Sequence, residues 1–363
     1  MKKKILVNAY FAKNLGDDLF LKVLFDRYPD VEWYLLTSDK SYKEIFSRYN
    51  KVKIIKSLSL NIGKREINLF YKINDILLKY KKYDAYLIIG GSIFMEFPSW
   101  EEKLKHREYL PNKFKELNKQ TFIIGSNFGP FTDDTFIEKH KEFFNKFDDI
   151  CFRDKYSYNL FNDLNNVRVS PDVVFNLETK SSNKKEKVVG ISLIDIEKRK
   201  NLQEFYNNYN KKVIELIEKF IDVGYSIKLF SFCENEGDLR ISNYIKSKVK
   251  NSNNIKVINY DGDIDEFLNQ FKTCEVIVGT RFHSIILGIL FDLNVFSIIY
   301  SEKTYNVLRD LNLNTESNYC YIKNIQELDV ETVIFKENKI ENRVVLKKAE
   351  EQFKSLDIHL GYS

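Results

Sequence analysis

Arg281 and His283 stand where a strand-like run gives way to a helix-like one, and that junction is the sharpest chemical signal in the chain. Residues 275–279 read as a strand. Ile285-Ile286-Leu287-Gly288-Ile289-Leu290 reads as part of a helix over 283–291 that is apolar nearly all round, hence buried. The first turn of a helix has unpaired N–H groups and the positive end of the dipole, so the turn holding Arg281, His283 and Ser284 suits an anion. An imidazole titrating near neutrality adds the capacity to move a proton. The same histidine could instead cap its own helix.

Lys303 follows the next strand, 295–300, whose end lies beside the previous one in a parallel sheet, so the lysine approaches His283. In a lysine-rich chain it also reads as a solvated surface group. Arg153 closes the apolar run Ile150-Cys151-Phe152. Its planar fork fits a carboxylate or phosphate, or it pairs with Asp154 or Asp172 as a structural bridge. Three glycine-containing turns are less specific. Gly90-Gly91-Ser92 lets backbone amides approach a ligand but has neither a P-loop nor a dinucleotide ending. Gly125 to Pro130, with Gly129, reads as a loop lining a cleft. Asn14-Leu15-Gly16-Asp17-Asp18 reads equally as a capped helix start or a ligand contact. His106, His140 and His359 sit in charged or amphipathic contexts and are expected at the surface.

The elements that must position these residues alternate strand and helix. Strand runs fall at 4–9, 33–37, 52–56, 85–89, 121–124 and 150–153, and again at 188–193, 226–232, 254–259, 275–279 and 295–300. Helical spacing marks 211–223 and 264–272, the set His140, Phe143, Phe144 and Phe147, and the set Ile67, Phe70, Tyr71, Asn74, Leu77 and Leu78, widened by Ile73 and Ile76. Thr179 to Lys187 has no apolar residue and reads as a linker. The expected organisation is α/β: a Rossmann-like domain over 1–178, a second over 188–340, and a C-terminal helix or tail over 341–363. Parallel sheets of this kind bind ligands beyond their strands' carboxyl ends, here in an expected cleft between the domains.

The 363 residues exceed what one core usually serves, and a net charge of +5 without a basic block suits a small anion rather than nucleic acid. Cys151, Cys233, Cys274 and Cys320 are far apart with no C-x-x-C pair, which favours buried thiols over disulfides or a zinc site. The apolar run before Asn8 is too short for a signal core, so a cytoplasmic protein is expected. Lys64, Arg65, Phe70 and Tyr71 allow at most a peripheral membrane contact at the inner face. Oligomeric state is left open.

Together these junctions resemble the polysaccharide pyruvyl transferase family. Asn14-Leu15-Gly16-Asp17 is similar to its N-x-G-D element, Gly90-Gly91-Ser92 to its glycine-rich turn, and Gly125 through Pro130 to its G-x-x-x-G-P loop. Arg153-Asp154 with Ser157 resembles R-D-x-x-S, and Pro171-Asp172 with Phe175 resembles P-D-x-x-F. Gly279-Thr280-Arg281-Phe282-His283, with Lys303 beyond, is the most specific match, although Phe282 stands where the family usually has leucine. The resemblance covers residues 5–310. It implies two Rossmann-type domains in a glycosyltransferase-B-like arrangement and transfer of pyruvate from phosphoenolpyruvate, with no cofactor and no metal. It makes Arg153, His283 and Lys303 the catalytic set. Arg281, Asn14, Gly16, Asp17, Gly90, Gly91, Ser92, Gly129 and Ser284 would contact substrate. The first domain would face the acceptor and the second the donor. The acceptor would be a sugar of a cell-surface polysaccharide, free or lipid-linked, that becomes a pyruvate ketal. The main rival is a sugar-nucleotide-dependent glycosyltransferase of the same fold, which Glu302 and Asp310 loosely imitate. A non-catalytic scaffold or a dehydrogenase fits less, since the Arg/His/Lys set is intact and no dinucleotide fingerprint follows the first strand.

Overall fold

The computed structural model describes residues 2–56, 59–62, 65–68, 79–178, 185–197, 199, 201–315, 317–335 and 342–362. Two compact units divide the chain. The first comprises Met1–Phe11, Phe20–Val173 and Lys348–Ser363, the second Ala12–Leu19 and Val174–Lys347. The expected boundaries ran on to 178 and set the tail apart. Instead the tail belongs to the first unit, and the short segment around Gly16 belongs to the second.

The first unit is built on strands β1 (Lys4–Asn8), β2 (Glu32–Leu36), β3 (Val52–Ile55), β6 (Ala85–Ile89), β7 (Gln120–Ser126), β8 (Asp149–Phe152) and β9 (Val167–Val169), in the order β3-β2-β1-β6-β7-β8-β9. The second is built on β10 (Val188–Ser192), β11 (Ser226–Ser231), β12 (Ile255–Asn259), β13 (Val276–Gly279), β14 (Asn294–Ile299) and β15 (Tyr319–Tyr321), in the order β12-β11-β10-β13-β14-β15. All neighbouring pairs in both sheets are parallel. Strands β6 and β10 are buried along their whole length, which is why they read as unbroken apolar runs rather than alternating ones. In each sheet the strand order reverses once, between β1 and β6 and between β10 and β13. The carboxyl ends of those strands are the places where doubly wound sheets bind ligands.

Helix Asp134–Phe144 begins at Asp133, whose carboxylate accepts the Thr135 N–H, and buries Phe136, His140, Phe143 and Phe144. This corrects the expectation that His140 is a surface residue. Its ring is 3% exposed among Phe94, Trp100, Phe128 and Phe136, and Nδ1 lies 2.7 Å from the Phe136 carbonyl. Burial pulls its pKa down to about 4. His359 is likewise half-buried, its ring 5.7 Å from that of Phe122, whereas His106 is exposed. Cys151, Cys233 and Cys274 are buried, Cys320 is half-buried, and none is bonded to another.

The helix expected from Ile67 onward does not begin there. Ile67 lies in β5 (Arg65–Asn68), which pairs antiparallel with β4 (Ser59–Ile62), and residues 69–78 fall outside the described residues. So do 179–184 of the expected linker. Helices Trp100–Glu116, Asp238–Lys248 and Glu302–Asp310 have no counterpart in the sequence reading. Among the described residues, no helix is long and apolar enough to cross a membrane.

The tail is held by polar bonds within the first unit. Asp357 takes Arg27 at 2.7 Å and the Tyr28 hydroxyl at 2.6 Å. Gln352, fully buried, donates through Nε2 to the carbonyls of Ser170 at 2.8 Å and Pro171 at 2.9 Å.

Candidate active site

In the second unit the ends of β10 and β13 are fastened by Ser192. Its hydroxyl accepts the backbone N–H of Thr280 and of Arg281 at 3.2 Å each and lies 2.6 Å from Ser284 Oγ. Ser284 in turn donates to the Arg281 carbonyl at 2.6 Å. Ser284 is fully buried, and its hydroxyl ties the helix start to the sheet.

Arg281 precedes helix Phe282–Leu290 and is 7% exposed. Its Nε donates to Asp238 Oδ2 at 2.8 Å, Nη2 pairs with Asp238 Oδ1, and Nη1 reaches Glu236 Oε2 at 2.6 Å. Asp238 also accepts the N–H groups of Phe232 and Cys233 at 3.1 Å each. Burial opposes the guanidinium charge, but Asp238 and then Glu236 more than offset it and hold the pKa above its usual value. Both edges of this guanidinium are occupied by the protein, so Arg281 fixes the frame.

His283 alone in that nine-residue helix is partly exposed. Its ring stands nearly perpendicular to that of Phe282, with centroids 5.0 Å apart. The ring also lies against Gly16. A Cβ at Gly16 would lie 2.7 Å from Cγ and 2.8 Å from Cε1 of His283, closer than such atoms can approach. Gly16 therefore makes room for the imidazole. The segment around it is pinned by several bonds. Asn14 Oδ1 accepts the Gly16 N–H at 3.0 Å and its amide reaches Glu236 Oε1 at 3.4 Å. Leu15 N donates to the Phe232 carbonyl at 3.0 Å, and the Tyr260 hydroxyl to Asp18 at 2.7 Å. Asp17 is half-buried in the first turn of helix Leu15–Arg27.

Lys303 is half-buried in the first turn of helix Glu302–Asp310. Its Nζ lies 5.9 Å from the centroid of Tyr300, and the Arg199 guanidinium lies 5.5 Å from the same ring. Arg199 also donates to Glu236 Oε2 at 3.0 Å. Burial raises the Tyr300 pKa, but Lys303, Arg281 and Arg199 together bring it below the ordinary phenol value. Glu236 is similarly opposed by burial and held below the usual carboxylate range by Arg281 and Arg199.

In the first unit Arg153 is 4% exposed. Nη1 donates to Asp172 at 2.9 Å, and Nη2 donates to Asn127 Oδ1 at 2.6 Å and Ser92 Oγ at 3.3 Å. The structural bridge weighed against an anion clamp is thus present, with Asp172 as partner. Gly91 does for Arg153 what Gly16 does for His283, since a Cβ there would fall 2.6 Å from Nη1 and 2.9 Å from Cζ. Asp154 accepts the Ser157 N–H at 2.7 Å and so caps helix Lys155–Leu160. Gly90 accepts Ser126 Oγ at its carbonyl, 2.8 Å away. Gly129, at φ +89°, donates to the Phe94 carbonyl at 2.8 Å and precedes the cis bond to Pro130. These glycines shape the loops that hold Asn127.

Sequence reading missed Asn127, Arg199, Glu236, Asp238, Tyr260 and Tyr300 as site residues. For Glu236 and Asp238 the one available signal was a Gly-Asp step just past a strand, at Gly237-Asp238. Among the described residues, no cluster of His, Cys, Asp or Glu could hold a metal ion.

The amylovoran biosynthesis protein AmsJ of Erwinia amylovora is 21% identical to this chain, with 86% of each chain covered. The solved UDP-GlcNAc 2-epimerase of Methanocaldococcus jannaschii matches with a TM-score of 0.59 at 13% identity, covering 99% of this chain and 100% of that one. Anabaena Alr3699/HepE, solved with UDP-glucose, matches with a TM-score of 0.58 at 11% identity, covering 98% and 95%. Identities that low speak for the fold alone, a glycosyltransferase-B-like pair of Rossmann-type domains. A sequence model described as polysaccharide pyruvyl transferase matches residues 14–302, a span that runs from Asn14 through Arg153 to His283 and takes in most of the chain. The chain belongs to the polysaccharide pyruvyl transferase family.

Proposed function

We propose that the protein transfers the pyruvyl unit of phosphoenolpyruvate to a sugar of a cell-surface polysaccharide, or of its lipid-linked precursor, as a ketal. The partial exposure of His283 at the opening of an otherwise buried helix carries this reading. An imidazole partly exposed at that turn is placed to meet a molecule arriving from outside. Family membership supplies the reaction class.

The chemistry balances without a cofactor. A sugar hydroxyl oxygen bonds to the central carbon of the donor as the methylene takes up a proton and becomes a methyl group. The bond from that carbon to the phosphate oxygen then breaks, inorganic phosphate leaves, and a second hydroxyl closes the ketal. Of the two hydroxyl protons, one is matched by the new methyl proton and the other departs with phosphate. We assign His283 to the proton transfers, Lys303 to the phosphate and Arg153 to the carboxylate, with Arg281 holding the helix start in place. The reaction belongs in the cytoplasm, where its donor is made.

Alanine at His283 should lower turnover about 10²–10⁴-fold, the usual worth of a positioned acid/base. The assay follows phosphate release from phosphoenolpyruvate with candidate glycans and detects the product by mass as pyruvate minus water. A folded His283→Ala protein of near-normal activity would refute the assignment, and turnover with nucleotide sugars instead would favour the glycosyltransferase.

A further inference from the structure

Around Tyr300 the second unit gathers positive charge. Arg199, Arg281 and Lys303 act on the phenol, while Glu236 and Asp238 are the carboxylates bonded to the two arginines. The arginines are not equivalent. Arg281 is enclosed and makes three bonds to the two carboxylates. Arg199 bonds Glu236 through Nη2 alone, and its side chain is 29% exposed. Lys303 is half-buried and stands over the same ring as Arg199. An arriving dianion can therefore meet the outer guanidinium without dismantling the inner ion pairs.

We propose that Arg199, Lys303 and the Tyr300 hydroxyl form the element that binds the phosphate of the donor, with Arg199 as a substrate-contacting cation that the sequence motifs do not mark. The ligand chemistry is that of a phosphomonoester dianion, and naming the donor as phosphoenolpyruvate rests on the function proposed above. Glu236 then has a second use. Shared between the two arginines, it keeps Arg199 oriented while the site is empty. The phenol, made more acidic by its cationic neighbours, is the stronger hydrogen-bond donor for that reason.

Calorimetric titration of the full chain tests this without knowing the acceptor. Phosphoenolpyruvate and inorganic phosphate should each bind Arg199→Ala about 10–100-fold more weakly than wild type, the worth of a charge-assisted bond. Arg199→Lys should fall between them, and Tyr300→Phe should lose less. Pyruvate, which has no phosphate, should bind all four proteins alike. Affinities of Arg199→Ala for both phosphorylated probes within twofold of wild type would overturn the inference, as would a wild type that binds no phosphate. Phosphate binding that depends on Arg199, with phosphoenolpyruvate bound no better than phosphate, would support this element while removing the donor named above.

Discussion

Replacing Gly16 with alanine tests the link between a motif glycine and the imidazole it supports. The backbone there is helical, and Gly16 is absent from the positive-φ glycines, so alanine fits the main chain. In a helix that exchange favours folding by up to about 1 kcal/mol. The side chain is the difficulty. The new methyl would lie 2.7 Å from His283 Cγ, where ordinary contact begins at 3.4 Å, and closer still to Nδ1. The ring must retreat by about 1 Å, a displacement that typically costs about 10²-fold when it misplaces a reacting group. Gly16→Ala should therefore keep or slightly raise its melting temperature while pyruvyl transfer falls by about two orders of magnitude. Two measurements check this: initial rates of phosphate release, and the ring C–H resonances in the proton NMR spectrum. The chain has four histidines, so the His283 signal can be assigned from its loss in His283→Ala. It should move in Gly16→Ala while the signals of His106, His140 and His359 stay. A variant with wild-type rates and an unmoved resonance would refute the reasoning.

Removing the Asp172 carboxylate should leave Arg153 buried without its counter-charge and cost about 3–5 kcal/mol in urea unfolding. The double change Arg153→Met with Asp172→Ala should recover part of that, and a single-variant loss below about 1 kcal/mol would contradict the pairing. For His140 the folded-state pKa lies below the unfolded one, so the unfolded chain takes the proton first. Its contribution is complete above about pH 6.5 and is lost as pH falls toward 4, about 2 kcal/mol of it between pH 7 and pH 5. The drop in stability between those two pH values should be smaller by that amount in His140→Leu, and an identical drop in the two proteins would count against it.

Much of the fold is legible because buried parallel strands announce themselves. The apolar stretches ending at Ile89, Ser192 and Gly279 admit few other readings, and helix Ile264–Lys272 matches its expected bounds. Helix Trp100–Glu116 escaped because its long charged surface overwhelms the buried Leu104, Leu110 and Phe114. Helix Asp238–Lys248 escaped because Ile241 and Ile245 alone are buried apolar residues within it. His140 was misplaced by residue type, although its spacing from Phe136, Phe143 and Phe144 puts it on the apolar face. The partners of Arg281 lie more than forty positions away in the chain, so nothing local reveals that its charge is already matched. For Gly16 and Gly91 the structure adds a neighbour that no local pattern reveals: a side chain distant in sequence, His283 or Arg153, lies where a Cβ would stand.

The return of the chain's last segment to the first unit has a consequence for biosynthesis. A ribosome has emitted the whole second unit before it reaches Lys348, and only then can Gln352 and Asp357 take their places against Pro171, Arg27 and Tyr28. The part made first is thus completed last, reversing the usual order in which nascent domains mature.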